Sequence, residues 1–265
     1  MEYESQLKEI VKDRYGKIAS ENSSSCCGSS SCCGGNKSYS VMSESYESLK
    51  GYNPDADYGL GCGLPTKFAQ IKKGDTVVDL GSGAGNDCFV ARAEAGETGR
   101  IIGIDFTPEM LSKANENVKK LGFANVEFVK GDIDNMPLDS DLADVIVSNC
   151  VLNLVPNKQA VFNEIYRVLK PGGHFSISDI VLTGQLPEKI RSVASMYAGC
   201  VSGATEKDIY LKHIQEAGFK NIAIQKEKNI IIPDEELKYH LSDEEAAIYK
   251  KDLNIIQSIT VYAEK

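Results

Sequence analysis

The residues best equipped for chemistry in this chain are its cysteines. There are eight, Cys26, Cys27, Cys32, Cys33, Cys62, Cys88, Cys150 and Cys200, against three histidines, His174, His213 and His240. The histidines show no spacing of a metal site or catalytic dyad, so surface and strand-end roles are their default. Thiolates are soft nucleophiles and soft ligands, so a cysteine-rich, histidine-poor chain points to soft-centre or redox chemistry. In a secreted mini-protein such cysteines would imply a disulfide framework, but a chain of 265 residues can bury a core without one. In a reducing cytosol they are expected to be free thiols, metal or metalloid ligands, or redox groups.

Placement separates them. Cys150 follows Asn149 at the end of an apolar run, Cys62 lies in YGLGCG, and Cys200 lies in YAGCVSGA. Three thiols from three separate segments can converge over one crevice. Cys88, on the face of a helix, is expected to be a small buried packing residue. The pairs Cys26–Cys27 and Cys32–Cys33 fall in SENSSSCCGSSSCCGGNKS, Ser20 to Ser38, a Ser/Gly/Cys segment unable to build a core. It reads as a flexible arm. Adjacent cysteines differ from the C-x-x-C spacing of zinc sites, although a four-thiolate site stays open.

The elements that must position these thiols are organised around TVVDLGSGAGND, Thr76 to Asp87. Val77, Val78 and Leu80 predict a buried strand, which ends in the alternating glycines Gly81, Gly83 and Gly85. A helix is predicted over Asn86–Ala95. Strand, glycine turn and helix form the first βα unit of a doubly wound sheet, in which backbone closely approaches a nucleotide. Further strands are predicted near Arg100–Asp105, Val126–Lys130, Asp144–Asn149 and His174–Asp179, with helices over Pro108–Leu121 and Asn157–Leu169. Thr107 and Pro108 supply a helix start, and LKPGG, Leu169 to Gly173, a helix stop and a turn. Before this core a helix is predicted over Glu2–Ala19, then the Ser/Gly/Cys arm, then an aromatic, glycine-rich lid over Tyr39–Pro65. Beyond it, Pro187–Tyr197, Glu206–Ala217 and Asp234–Asp252 read as helical, Asn221–Ile232 as extended and Ser258–Lys265 as a strand. Two late strands joined by a hairpin-like connection would give the parallel sheet one antiparallel member.

The glycine loop discriminates among nucleotides. Asn86 stands where a dinucleotide fingerprint needs its third glycine, and Asp79 precedes the loop. A carboxylate there would repel a pyrophosphate but suits a cofactor bearing an ammonium group and a sulfonium. Asp105 ends the second strand, where an acid can accept bonds from ribose hydroxyls. GDIDNMP, Gly131 to Pro137, offers Asp132 to an adenine amino group, with Ile133 beside it. Phe106 and Met110 are placed to pack on the adenine, Tyr58 to touch the cofactor from the lid, and Asn149 to border it.

In this order and spacing, these features resemble the class I S-adenosylmethionine-dependent methyltransferases over Phe68 to Ile180. SGAGNDCFVA, SNCVLNLVPNK, YAGCVSGA and YGLGCG resemble the arsenite methyltransferases more narrowly, over Tyr39 to Val201. That resemblance implies a Rossmann-like α/β sheet with a substrate-binding cap, S-adenosylmethionine as methyl donor and arsenite or methylated arsenicals as acceptor. It implies that Cys150 and Cys200 bind trivalent arsenic and that Cys62 adds a third thiol or a redox partner. A dithiol can then return oxidised arsenic to the trivalent state, with thioredoxin or glutathione as reductant. The implied divisions are 1–38 (helix and arm), 39–66 (lid), 67–182 (cofactor-binding core) and 183–265 (cap and last strands). For the paired cysteines, arsenite capture, electron delivery and an incidental tail stand side by side. Where the family often has an arginine, this chain has Asn86, and it ends without the extra C-terminal domain of longer members.

Composition narrows the alternatives. With 38 acidic against 29 basic residues and a net charge of −9, a nucleic-acid partner is not expected. No apolar run is long enough for a membrane span, and MEYESQLKEI is no signal peptide, so a cytoplasmic location is expected. A monomer is expected. A methyltransferase for a small organic acceptor would need a base, and no candidate is evident near Asn149. A thiol-rich arsenic-binding or sensing protein without turnover is the other alternative.

Overall fold

The computed structural model describes residues 2–21, 43–184, 203–232, 234, 242–250 and 255–265. Seven strands form one sheet: β1 (Thr76–Leu80), β2 (Arg100–Asp105), β3 (Val126–Lys130), β4 (Ala143–Asn149), β5 (Leu169–Leu182), β6 (Lys220–Asn229) and β7 (Ile256–Glu264). Their order is β3-β2-β1-β4-β5-β7-β6. β1 pairs in parallel with β2 on one side and β4 on the other, so the chain reverses its direction of travel across the sheet at β1. Open α/β sheets present their ligand crevice at such a point, beyond the carboxyl ends of the strands.

Local sequence explains the central strands. Val77, Val78 and Leu80 are fully buried, as expected where helices cover both faces of a parallel sheet. Helices α3 (Asn86–Ala95) and α4 (Pro108–Leu121) pack on one face. On the other lie α5 (Lys158–Val168) and a later helix, α6 (Lys207–Glu216), where Phe162 meets Tyr210 edge to face at 5.4 Å. Among the described residues, two further α-helices precede this core, α1 (Glu2–Glu21) and the short α2 (Pro65–Phe68), and one, α7 (Asp243–Tyr249), falls between the last two strands. α1 packs on α4.

Two expectations need correction. LKPGG is not a free turn: Leu169 caps α5 and begins β5, and the register slips between Ala143 and Val145. That bulge absorbs the proline and glycines within the strand. The late strands are antiparallel neighbours, but their connection from Ile230 to Ile255 contains α7 and is no tight hairpin. β7, antiparallel to both β5 and β6, is the single reversed member of the sheet. Thr107 and Pro108 start α4 as expected, Thr107 at the N-cap and Pro108 in the first turn, although the cap makes no side-chain hydrogen bond. The expected helix over Pro187–Tyr197 lies outside the described residues, as do Cys26, Cys27, Cys32, Cys33 and Cys200.

Candidate active site

A cleft of about 1130 Å³, counted out to its open mouth, lies over the ends of β1, β2 and β4. Its floor is the glycine loop. Gly81, Gly83 and Gly85 all have positive φ, at 66°, 52° and 99°. A Cβ on Gly81 would come within 2.5 Å of both Val151 methyls, and one on Gly85 within 2.7 Å of the Phe128 ring. Glycine is required here by close approach as well as by backbone conformation.

Two carboxylates, Asp79 and Asp87, are buried in the cleft wall. Burial pushes Asp79 well above the usual carboxylate range, and the neighbouring charge of Asp87 adds to the shift. Asp87 is raised to about 6 by burial, against hydrogen bonds from Tyr46, Asn149 and Thr66 that favour its charge. Among the described residues no lysine or arginine forms an ion pair with either. Cys88 is buried as expected, but it also donates its S–H to Asp79 Oδ2 at 3.3 Å. Burial, followed by the charge of Asp79, holds that thiol well above its ordinary range.

Such a wall fits an S-adenosylmethionine-type ligand. An ammonium would neutralise the buried acids, whose charge is otherwise costly. Ser82 Oγ and Asn86 Oδ1 are buried in the same wall with no hydrogen-bond partner among the described residues. Unpaired buried polar atoms are rare in native structures and mark the place of a missing partner.

The remaining cofactor candidates distribute unevenly. Asp105 lines the cleft, but its Oδ2 accepts from Gly83 N at 2.9 Å and its Oδ1 from Thr107 N at 2.8 Å. It both shapes the loop and faces the ligand space. Met110 and Ile133 are buried in the wall, while Phe106 and Tyr58 line it half-buried. Asp132 is more open and pairs with Lys8 of α1 at 3.3 Å. Asn149 lines the cleft but directs its amide to the segment around Cys62: Oδ1 accepts from Cys62 N at 3.0 Å, and Nδ2 donates to Gly63 O at 2.9 Å.

Cys150 also lines the cleft. It has φ 63°, in the left-handed region, and its N–H donates to Ser178 O at 2.8 Å. A non-glycine residue in this conformation is strained by about 1 kcal/mol or more, a cost commonly retained at functional positions. Cys62 and Cys150 are both buried and belong to one apolar cluster with Ile180, Leu182 and Ile256. Cys200 lies outside the described residues, and among the described residues no three metal-binding side chains form a group.

Several site residues were not identified from sequence. Lys8, Val11 and Tyr15 place α1 against the cleft, and Tyr46, ahead of α2, hydrogen-bonds Asp87. Their contacts cross wide sequence separations, which no local pattern reports. Near the thiols, Asp179 is fully buried and raised to about 7 by burial, against the opposing charge of Lys158. From sequence the fifth strand is expected to end at Asp179, whereas β5 runs on through the buried Ile180, Val181 and Leu182, which encloses the acid within the strand.

Comparison with known proteins agrees with this geometry. The model of a methyltransferase domain matches residues 71–218. An arsenite methyltransferase of Halobacterium salinarum is 41% identical, covering 98% of this chain and 67% of the relative. Another, from Aquipseudomonas alcaligenes, is 34% identical, covering 89% of this chain and 69% of the relative. The crystal structure of an arsenic(III) S-adenosylmethionine methyltransferase from Chlamydomonas reinhardtii superposes with a TM-score of 0.65 at 33% identity, covering 77% of this chain and 67% of that one. This chain thus spans about two thirds of the length of these relatives. A cleft built on a glycine loop and bordered by a strained cysteine, together with these relatives, places the chain in the arsenite methyltransferase family.

Proposed function

We propose that this protein transfers methyl groups from S-adenosylmethionine to trivalent arsenic held on thiolates, giving methylated arsenicals. The observation that supports it best is the double membership of Cys150: it lines the cleft over the glycine loop and packs in the same buried cluster as Cys62. A thiol there can hold a soft acceptor at the edge of the donor's site.

In this reading Gly81, Gly83 and Gly85 admit the cofactor, with Asp79 and Asp87 on its ammonium and Asp105 and Asp132 on its ribose and adenine. Tyr58, Phe106, Met110, Ile133 and Asn149 complete its surroundings. The cofactor supplies an electrophilic methyl on a sulfonium, which leaves as a neutral thioether. Cys62, Cys150 and Cys200 hold arsenic as thiolates, leaving its lone pair as the nucleophile, so no general base is needed. Their main catalytic contribution is orientation. Exchange of hydroxyl groups on arsenous acid for thiols releases water and is nearly proton-neutral. Transfer formally oxidises arsenic by two electrons. Two thiols can return them by closing a disulfide, which thioredoxin or glutathione then reduces. Reduced thiols suit the cytosol, where we place the protein as a monomer. Among the described residues no helix is long and apolar enough to cross a membrane.

The deciding experiment uses methyl-labelled cofactor, arsenite and a thiol reductant with wild type and Cys150→Ser. Labelled arsenicals should form with the wild type and be lost with the variant. Undiminished transfer by Cys150→Ser would overturn the assignment.

A further inference from the structure

The backbone of Cys62 is held at both its N–H and its carbonyl. Its N–H donates to Asn149 Oδ1 at 3.0 Å, and its carbonyl accepts from Ser258 Oγ of β7 at 2.7 Å. Ser258 is buried and lies 196 residues away in sequence. The contact belongs to a group of buried hydroxyls beneath the lid: Ser176 Oγ donates to Pro65 O at 2.9 Å, and Ser178 and Thr260 share a hydrogen bond at 2.8 Å. The lid meets this surface through glycines. A Cβ on Gly61 would collide with Asn149 Nδ2, and one on Gly63 would lie 2.5 Å from Ser178 Oγ. The GLGCG run therefore seats its backbone directly on polar side chains of the sheet. Ser258 does not line the cofactor cleft.

We propose that Ser258 is a positioning residue for arsenic binding: by holding the Cys62 carbonyl while Asn149 holds its N–H, it fixes the backbone that carries the Cys62 thiol within the cluster it shares with Cys150. The proposal rests on the reading of Cys62 as an arsenic ligand. It explains why the reversed strand β7 presents a buried hydroxyl at a position an apolar residue would otherwise fill. A neutral hydrogen bond contributes modestly to stability, so its effect should appear in the alignment of the thiol more than in the survival of the fold.

The test titrates arsenite into reduced, full-length protein, following As–S ultraviolet absorbance, and measures S-adenosylmethionine affinity by calorimetry. Ser258→Ala should weaken arsenite binding about three- to tenfold, the range set by one net hydrogen bond. Cofactor affinity should stay within twofold of wild type. In a Cys62→Ser background the same substitution should change arsenite affinity less than twofold, because the hydroxyl acts through Cys62. Ser258→Thr, which retains the hydroxyl, should bind arsenite as the wild type does.

An equal loss in both backgrounds, no loss in either, or a matching loss of cofactor affinity would overturn the proposal. So would a Thr variant as weak as Ala, or unfolding of Ser258→Ala, since the hydroxyl would then serve the fold. If Cys62→Ser alone binds arsenite like the wild type, it is the ligand role of Cys62 that fails.

Discussion

The Tyr46 hydroxyl donates to Asp87, 2.8 Å from Oδ2 and 3.0 Å from Oδ1, and accepts from Asn149 Nδ2 at 2.6 Å. One phenol thereby joins the segment before α2, the start of α3 and the end of β4. Its bond favours the charged form of Asp87, which burial has raised to about 6. Tyr46→Phe should move that value upward. Cofactor affinity, followed against pH by calorimetry, should then begin to fall at a higher pH than in the wild type. An unchanged midpoint would separate Asp87 from cofactor binding.

The raised Asp87 also affects stability without ligand. Below pH 3.8 the carboxyl is protonated in both folded and unfolded chains, and between 3.8 and about 6 only the unfolded chain releases its proton. Stability contributed by this group is therefore present at low pH and lost as pH rises through the window, by about 3 kcal/mol at most. Asp87→Asn should remove this dependence and raise the melting temperature of the ligand-free protein at pH 7 relative to wild type. It should also weaken cofactor binding. Thermal melts at pH 5 and pH 7 check the first expectation and calorimetry the second.

Much of this arrangement was legible in sequence because it is locally encoded. Val77, Val78 and Leu80 followed by alternating glycines specify β1 and its turn, and α3 and α4 occupy the expected residues. The family resemblance rested on the same continuous stretches. Asn149 shows where local reading stops. Its place at a strand end marks the crevice, but its partner is the peptide of Cys62, 87 residues earlier. Asp179 looked like a strand-end acid, yet Asn153, Tyr210 and the main chain of Ile180 surround it. Burial of charge is a tertiary property, set by segments that converge only on folding.

Two neighbouring glycines should respond differently to alanine. At Gly81 the added methyl meets Val151 at 2.5 Å, whereas at Gly83 the nearest atom is Met110 Sδ at 3.9 Å. Both positions carry left-handed backbone strain of about 1–2 kcal/mol for alanine. Gly81→Ala adds an overpacking cost of about 1–3 kcal/mol. Urea denaturation should rank Gly81→Ala as the less stable variant, with Val151→Ala recovering part of its loss and none of the loss at Gly83→Ala. Equal destabilisation at both sites would deny the contact with Val151.

Lys158 is an unusual buried ammonium. Its Nζ donates to Gly203 O at 2.8 Å, and its charge opposes the upward shift that burial imposes on Asp179. Burial lowers the pKa of Lys158 in turn, against the favourable charge of Asp179. Each charge compensates for desolvation of the other, so removing one leaves its partner exposed to the full penalty. Lys158→Met should raise Asp179 above about 7 and destabilise the protein more at pH 8 than at pH 6, by up to about 1.4 kcal/mol, because at pH 6 Asp179 already carries its proton. Lys158→Met combined with Asp179→Asn should cost less than the sum of the single changes by about 1–3 kcal/mol. Denaturant melts of the four proteins at both pH values measure the coupling. Strict additivity would show that Lys158 is retained for its bond to Gly203 alone.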